Sequence, residues 1–201
     1  HLLVMKLFMD IDDFNGHYHN KNEKLSSLVY KMQEFLIHIA KPDGTVPSVG
    51  DSFNDNVMRH PKESVTNEHL LFEITNGLEG VEIENKSIVY SDAGIAVFKN
   101  DWDNEKPIYF SLFNAYHSFV HKQSDDLSFV LTYGDTDFFV DGGKYNFVES
   151  DPYRIFIRSV FAHNTISVDN QTYDFREESF IGDPVIDLSL IHISEPTRRT
   201  P

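Results

Sequence analysis

The sequence predicts an α+β fold in which helices precede an antiparallel β domain. Two observations support this prediction: apolar residues recur at three- and four-residue spacing before residue 40, whereas they alternate with other residues after Gly80. With 40% hydrophobic and 13% aromatic residues, the chain of 201 residues can bury a core and is expected to be globular.

Helices are predicted in the first part of the chain. Residues 2–11 are expected to be the end of one helix, and residues 12–24 a polar connection. The apolar stripe of the next helix consists of Leu25, Leu28, Val29, Met32, Phe35, Leu36 and Ile39. This helix is predicted to end at Lys41, because the turn sequence PDG follows. A short third helix is expected over residues 65–76, with Gly77 just beyond its end.

Strands are predicted where short runs rich in Ile, Val, Phe, Tyr and Thr alternate. The predicted strands span residues 87–90, 94–98, 108–113, 127–133, 137–140 and 165–168. Turn sequences such as Gly134-Asp135 separate them. Consecutive short strands with turns between them indicate an antiparallel sheet, which we expect to be half of a sandwich.

Charge and composition exclude several classes of partner. The formal net charge of −15 argues against nucleic-acid binding, which needs a basic surface. The apolar runs fall far short of the ~20 residues that a membrane-spanning helix needs. The chain has no cysteine, so disulfides and thiolate metal sites are excluded. An anionic polysaccharide would be repelled at long range, and binding it would need a local cluster of cations.

The two ends of the chain suggest a gene fragment. Residues 188–198 read LSLIHISEPTR, which resembles the translation of a sequencing-library adapter, and the chain begins at His1 within an apolar run. We therefore expect helices and a linker over residues 1–78, a truncated β domain over residues 79–187, and a non-native tail over residues 188–201.

Three separated segments offer side chains for proton or metal chemistry. HKQSDDLSF begins at His121, FFVDGGKY contains Asp141 and ends at Tyr145, and RSVFAHNTISVDN contains His163. The imidazole of His121 can exchange protons near neutral pH, and Tyr145 supplies a phenol. Asp141 and His163 together offer an oxygen and a nitrogen ligand.

These three motifs resemble the C-terminal domain of the heparinase II/III group of polysaccharide lyases. In that family the corresponding segments read HKHADDLSF, VDxGxY and RSxxAHNTVxVD, in the same order and with the same spacing. The segment PDGTVPSVGDS at residues 42–52 resembles the part that closes the family's helical domain. The resemblance implies the last helices of an incomplete α/α toroid followed by an incomplete antiparallel β-sandwich, with the active site between the two domains.

The resemblance also implies a function. Members of the family are carbon–oxygen lyases that cleave an acidic, uronate-containing polysaccharide by β-elimination, in the periplasm or outside the cell. His121 then occupies the position of an active-site His, and Tyr145 that of an active-site Tyr found in some members. The principal catalytic Tyr and a substrate-facing Asn belong to the helical domain before His1. This chain alone is therefore expected to be inactive and poorly soluble.

Four charged residues lie near these motifs, and one of them is a candidate for substrate binding. Arg158 is a candidate for binding the substrate carboxylate, because a guanidinium group binds carboxylate in a bidentate fork. Arg154 is expected to form a structural ion pair. Asp125 and Asp126 are expected to lie in a solvated turn.

A zinc site is implied by the resemblance but weakened by one residue. In some relatives zinc is bound by the second His of HKH, the Asp of VDxG and the His of AHNT. The corresponding residues here are Gln123, Asp141 and His163. Because an amide oxygen is a poor zinc ligand, we expect low occupancy and a hydrogen-bonded cluster of these three residues that holds the His121 segment without metal.

A second class of function remains open. The chain could be a non-catalytic carbohydrate-binding or structural β domain of a polysaccharide-assembly protein. Gln123 and the acidic composition favour this alternative, in which His121 is a surface residue and Tyr145 a sheet aromatic anchored by its hydroxyl.

Overall fold

The computed structural model describes residues 2–18, 20–53, 55–57, 61–100, 106–115 and 121–172. The expected tail at residues 188–201 lies outside these ranges. The described residues form two compact units. One takes its residues from 1–40, 44–46 and 56–86, and the other from 41–43, 47–55 and 87 onward.

The first unit contains three helices. Their bounds are α1 Leu2–Tyr18, α2 Glu23–Ile39 and α3 Glu68–Ile74. Asn22 caps α2 and Asn67 caps α3, since each side chain accepts hydrogen bonds from backbone amides of the first turn. Two short strands, β1 Thr45–Val46 and β2 Asp55–Asn56, pair with each other.

Helix α1 is longer than predicted, because it continues through the polar residues that were expected to form a connection. Asp12 accepts a hydrogen bond of 2.8 Å from the hydroxyl of Ser26, and the tilted rings of Phe14 and Tyr18 lie 4.9 Å apart, one helical turn along α1. The contact between the two rings, four residues apart, needs the chain to stay helical to Tyr18. These contacts offset the cost of Gly16, about 1 kcal/mol in a helix interior.

The second unit is built on a five-stranded antiparallel sheet, which confirms the predicted α+β class. Its strands, in sequence and spatial order, are β3 Ile88–Tyr90, β4 Ile95–Lys99, β5 Ile108–Phe113, β6 Ser128–Tyr133 and β7 Thr136–Phe139. Alternate residues of β5 and β6 are buried, as the alternating sequence predicts. Ser111 of β5 lies opposite Val130 of β6, and both are buried.

The prediction of a strand at residues 165–168 is wrong, because these residues form no strand. Ile166 and Val168 are largely exposed, and only a single bridge, from Val168 to Gln171, forms there. Side chains attach this segment instead: the Asn164 amide donates to the carbonyls of Phe129 and Val140, at 2.9 and 2.8 Å. A backbone hydrogen bond of 3.3 Å, from the Phe129 amide to the Asn164 carbonyl, accompanies these side-chain contacts.

A fourth helix, α4 Pro152–Arg158, was not predicted. Asp151 accepts a hydrogen bond of 2.8 Å from the amide of Tyr153, and Pro152 occupies the first turn, where its missing amide hydrogen costs nothing. The helix buries Arg154 while leaving Ile155 exposed. No described helix has the length and apolar character needed to cross a bilayer.

Candidate functional site

The site is organised around Asp51, whose side chain is only 2% exposed. Its Oδ1 accepts hydrogen bonds from Nη1 of Arg154 and, at 2.9 Å, from Nε2 of Gln123. Its Oδ2 accepts from Nη2 of Arg154 at 2.6 Å and lies 3.3 Å from Nδ1 of His121. Asp51 therefore joins α4, the His121 segment and its own loop.

The loop that carries Asp51 has a conformation that requires glycine. Gly50 has a φ of +58°, and a Cβ atom there would come within 2.9 Å of the His121 carbonyl oxygen. The Asp51 amide donates to that same carbonyl at 3.1 Å. Backbone and side chain of Asp51 thus both contact His121.

Asp51 is ionised at all physiological pH values. Burial raises the pKa of its carboxyl group, but the hydrogen bonds and charge of Arg154, with hydrogen bonds from Gln123 and His121, outweigh burial and lower the pKa to about 2. The carboxylate can only accept hydrogen bonds, so Nδ1 of His121 carries the hydrogen in their contact. This tautomer leaves the Nε2 lone pair of His121 available as a base.

The His121 ring is accessible, because 62% of its side chain is exposed. The residue has a φ of +63°, in the left-handed region that non-glycine residues adopt at a cost of roughly 1–2 kcal/mol. Its ring lies 5.8 Å from that of Phe147. The contacts with Asp51 hold His121 in this uncommon conformation.

Tyr145 follows a turn that is attached to the Asp51 loop. Gly143 has a φ of +59°, and a Cβ atom there would lie 2.8 Å from Ser52 O. The amide of Lys144 donates to the same oxygen at 3.1 Å. The Tyr145 side chain is exposed, with its ring 5.8 Å from that of Tyr153, so its phenol is accessible. The role of Tyr145 as a catalytic group stays a prediction.

The expected cluster of Gln123, Asp141 and His163 forms differently from the prediction. Asp141 and His163 are buried and hydrogen-bonded, with 2.8 Å between Oδ2 and Nδ1. The Gln123 amide donates to neither residue. Its Nε2 lies within 3.2 Å of the carbonyl oxygens of Gly50 and Gly143 and of the carboxylate oxygen Oδ1 of Asp51. Gly143 completes the link, because its amide donates to Asp141 at 3.0 Å.

These residues fit a zinc ion poorly. Within the described ranges, no group of three or more His, Cys, Asp and Glu residues could hold a metal ion. The buried Nε2 of His163 and Oε1 of Gln123 have no hydrogen-bond partner, but an amide oxygen is a weak zinc ligand. Both Asp141 oxygens already accept hydrogen bonds, from His163 and Gly143. We therefore derive no chemistry from a metal here.

The charged residues near the motifs divide between confirmed and wrong predictions. Arg154 forms the structural ion pair that was expected. Asp125 and Asp126 are not in a solvated turn: both are buried, and both accept hydrogen bonds from the buried ammonium group of Lys122. Burial raises the pKa of Asp125, and the charge of Lys122 offsets only part of this rise. Lys122 is the cationic partner of both aspartates, although this segment is not helical.

Arg158 is half-buried and donates through Nη1 to the exposed carboxylate of Glu149. Its role in binding a substrate carboxylate stays a prediction. Asp51 is the functional residue that the sequence reasoning missed. Its Gly-Asp pair lies in the segment at residues 42–52, which was noted only for the end of the helical domain.

The helices and the five-stranded antiparallel sheet give the chain an α+β fold. The chain belongs to the family described as heparinase II/III-like, C-terminal, whose family model matches residues 83–200. This match covers more than half of the chain.

Individual proteins show the same relationship. A heparin-sulfate lyase of Bacteroides stercoris is 25% identical over 190 residues, which cover 88% of this chain and 28% of that protein. A solved heparinase III superposes with a TM-score of 0.75 at 23% identity, covering 85% of this chain and 29% of the other. A mutant of heparan sulfate lyase from Pedobacter heparinus superposes with a TM-score of 0.75 at 22% identity, and the match covers 85% of this chain and 29% of the other. The chain thus spans less than a third of these proteins.

Asp51→Asn should destabilise the protein at pH 7 by about 3 kcal/mol or more, because it leaves the buried Arg154 guanidinium without its counter-charge. The pKa of Asp51 is lowered in the folded state, so its contribution to stability is present above the unfolded pKa of ~3.9 and is lost as the pH falls through about 2. The difference between variant and wild type in urea unfolding should therefore shrink on acidification.

The matched control is Asp135→Asn, which changes an exposed carboxylate in the same unit. It should alter the free energy of unfolding by less than about 0.5 kcal/mol. If the Asp51→Asn protein were as stable as this control at pH 7, the ion pair between Asp51 and Arg154 would not be needed for stability.

Gln123→His should increase zinc binding, since an imidazole beside His163 and Asp141 restores a nitrogen ligand. Metal analysis after dialysis against zinc should find little zinc in the wild-type protein and close to one ion per chain in the variant. Gln171→His, at an exposed position, is the control and should resemble wild type. Stoichiometric zinc in the wild-type protein would show that Gln123 does not prevent metal binding.

Proposed function

We propose that the chain is part of a carbon–oxygen lyase that cleaves an acidic, uronate-containing polysaccharide by β-elimination. The observation that supports this proposal best is the exposed His121 ring, whose Nδ1 faces the buried, ionised Asp51. The name of the Bacteroides stercoris relative, a heparin-sulfate lyase, supports the same class of reaction.

The proposed reaction needs two proton movements. A base removes the proton from C5 of the uronate, the bond between C4 and the glycosidic oxygen breaks, and a C4–C5 double bond forms. The leaving oxygen takes up a proton. Negative charge develops on the sugar carboxylate during the first movement, so nearby hydrogen-bond donors or cations lower the barrier.

His121 is suited to one of these movements. Its Nε2 lone pair can accept a proton, and the Asp51 carboxylate 3.3 Å from Nδ1 stabilises the imidazolium that results. The exposed phenol of Tyr145 is the candidate for the second movement. Arg158 is the candidate for contacting the substrate carboxylate, in exchange for Glu149.

The alternative function is non-catalytic carbohydrate binding or a structural role in polysaccharide assembly. The observation that favours it is the poor fit of Gln123, Asp141 and His163 to zinc. If catalysis in this type of domain needed zinc to hold the site together, a chain that binds zinc poorly would no longer be catalytic. The two functions differ in one measurable product, the unsaturated uronate.

The test uses the complete reading frame that contains this sequence, incubated with a panel of uronate-containing polysaccharides and with starch as a neutral control. Cleavage by β-elimination should produce the ultraviolet absorbance of an unsaturated uronate with the acidic polymers only. Binding of these polymers without any product would favour the non-catalytic alternative.

His121→Ala should lower kcat by about 10²–10⁴-fold, the typical contribution of general acid–base catalysis. Tyr145→Phe should lower kcat in the same direction, and Arg158→Ala should mainly raise KM. His17→Ala, which changes an exposed histidine of α1, is the control and should leave both parameters unchanged. Full activity of the His121→Ala enzyme would exclude His121 from the proton transfers.

A further inference from the structure

We propose that Lys144 binds an anionic substituent of the polysaccharide, a carboxylate or a sulfate, beside His121. The identity of this ligand rests on the proposed function, whereas the cationic site itself rests on geometry. The motif VDxGxY leaves the position of Lys144 unspecified.

The position of Lys144 is fixed by its backbone and by two aromatic rings. Its amide donates to the Ser52 carbonyl at 3.1 Å. Its ammonium nitrogen lies 3.7 Å from the ring centre of Phe53 and 4.2 Å from that of Phe147. Both rings are more than half exposed, so the ammonium group is held at the surface of the unit.

The same phenyl ring connects Lys144 to His121. The Phe147 ring contacts the ammonium group of Lys144 and lies 5.8 Å from the imidazole of His121. A sugar ring placed against Phe147 could therefore present one substituent to the cation and another to the imidazole. This is the relation that a lyase requires between its anion-binding group and its base.

The charge of Lys144 is available to a ligand. Among the residues that the structure describes, no carboxylate lies at ion-pair distance from Lys144. By contrast, Asp137 pairs with Lys41, and Asp51 pairs with Arg154. Aromatic rings attract an ammonium group through their quadrupoles without neutralising it.

The overall charge makes a local cation necessary. A chain with a formal net charge of −15 repels an acidic polysaccharide at long range. An anionic ligand can therefore bind only where short-range contacts outweigh this repulsion. An unneutralised ammonium group against an exposed aromatic surface provides such contacts, and a neutral ligand would gain much less from them.

The test measures binding, not turnover, and again uses the complete reading frame. The dissociation constant of a uronate hexasaccharide is determined by calorimetry in a His121→Ala background, in which cleavage should be slower by about 10²-fold or more. Lys144→Met should weaken binding about tenfold or more, because it removes a charge-assisted hydrogen bond. Lys144→Arg should restore most of the affinity. Added salt should reduce the difference in affinity between the parent and the Lys144→Met protein, since it screens the contact.

Lys106→Met is the matched control. Lys106 also lies over an aromatic ring, at 5.8 Å from that of Tyr133. This ring is not the Phe147 ring that connects Lys144 to His121. This variant should bind as the parent does. Thermal melting of all variants checks that Lys144→Met has not merely unfolded the loop.

Modified oligosaccharides distinguish the two anionic groups. If Lys144 binds a carboxylate, reducing the carboxyl groups should remove the difference in affinity between the parent and the Lys144→Met protein. If it binds a sulfate, desulfation should do so instead. Equal affinity of the Lys144→Met protein and the parent for the unmodified hexasaccharide would overturn the proposal.

The outcome is separable from that of the proposed function. Loss of affinity on Lys144→Met without any lyase product would support the anion site and contradict the lyase. Normal lyase activity with unchanged affinity and KM in Lys144→Met would support the lyase and contradict the anion site.

Discussion

The buried ion pair between Asp51 and Arg154 is the interaction on which the arrangement of the site depends. Removing both charges from water costs several kcal/mol per ion, so such a pair is stable only when its remaining hydrogen-bonding groups also find partners. Gln123 and His121 supply further contacts to Asp51. Because these residues come from different segments, satisfying one carboxylate fixes the relative positions of the Gly50 loop, the His121 segment and α4.

This arrangement separates a buried charge from an exposed reactive group. Asp51 remains ionised because Arg154 lowers its pKa, yet it is not itself accessible to a substrate. His121 is accessible, and the carboxylate determines which of its nitrogens carries hydrogen. A left-handed backbone conformation at His121 costs free energy, and the contacts from Asp51 offset that cost. Stability and proposed chemistry therefore rest on the same contacts.

Periodicity in the sequence predicted the elements whose side chains alternate between core and solvent, including all five strands of the sheet. Periodicity did not predict the segments that are held in place by side-chain hydrogen bonds and ion pairs to distant residues. Asn164 attaches residues 165–168 through its amide, and α4 buries an arginine, so no apolar stripe marks that helix. Local motifs identified His121. The pair between Asp51 and Arg154, 103 residues apart, has no periodic signal.

Gln123 holds several segments together through its side-chain amide. A metal site presents lone pairs toward its centre, whereas Nε2 of Gln123 presents hydrogens toward the carbonyl oxygens of Gly50 and Gly143 and the carboxylate of Asp51. The two amide hydrogens of Gln123 are shared among these three acceptors. Gln123 joins the Asp51 loop to the turn before Tyr145. In that turn, the Gly143 amide donates a hydrogen bond to the Asp141 carboxylate. Gln123 therefore joins these segments through amide hydrogens.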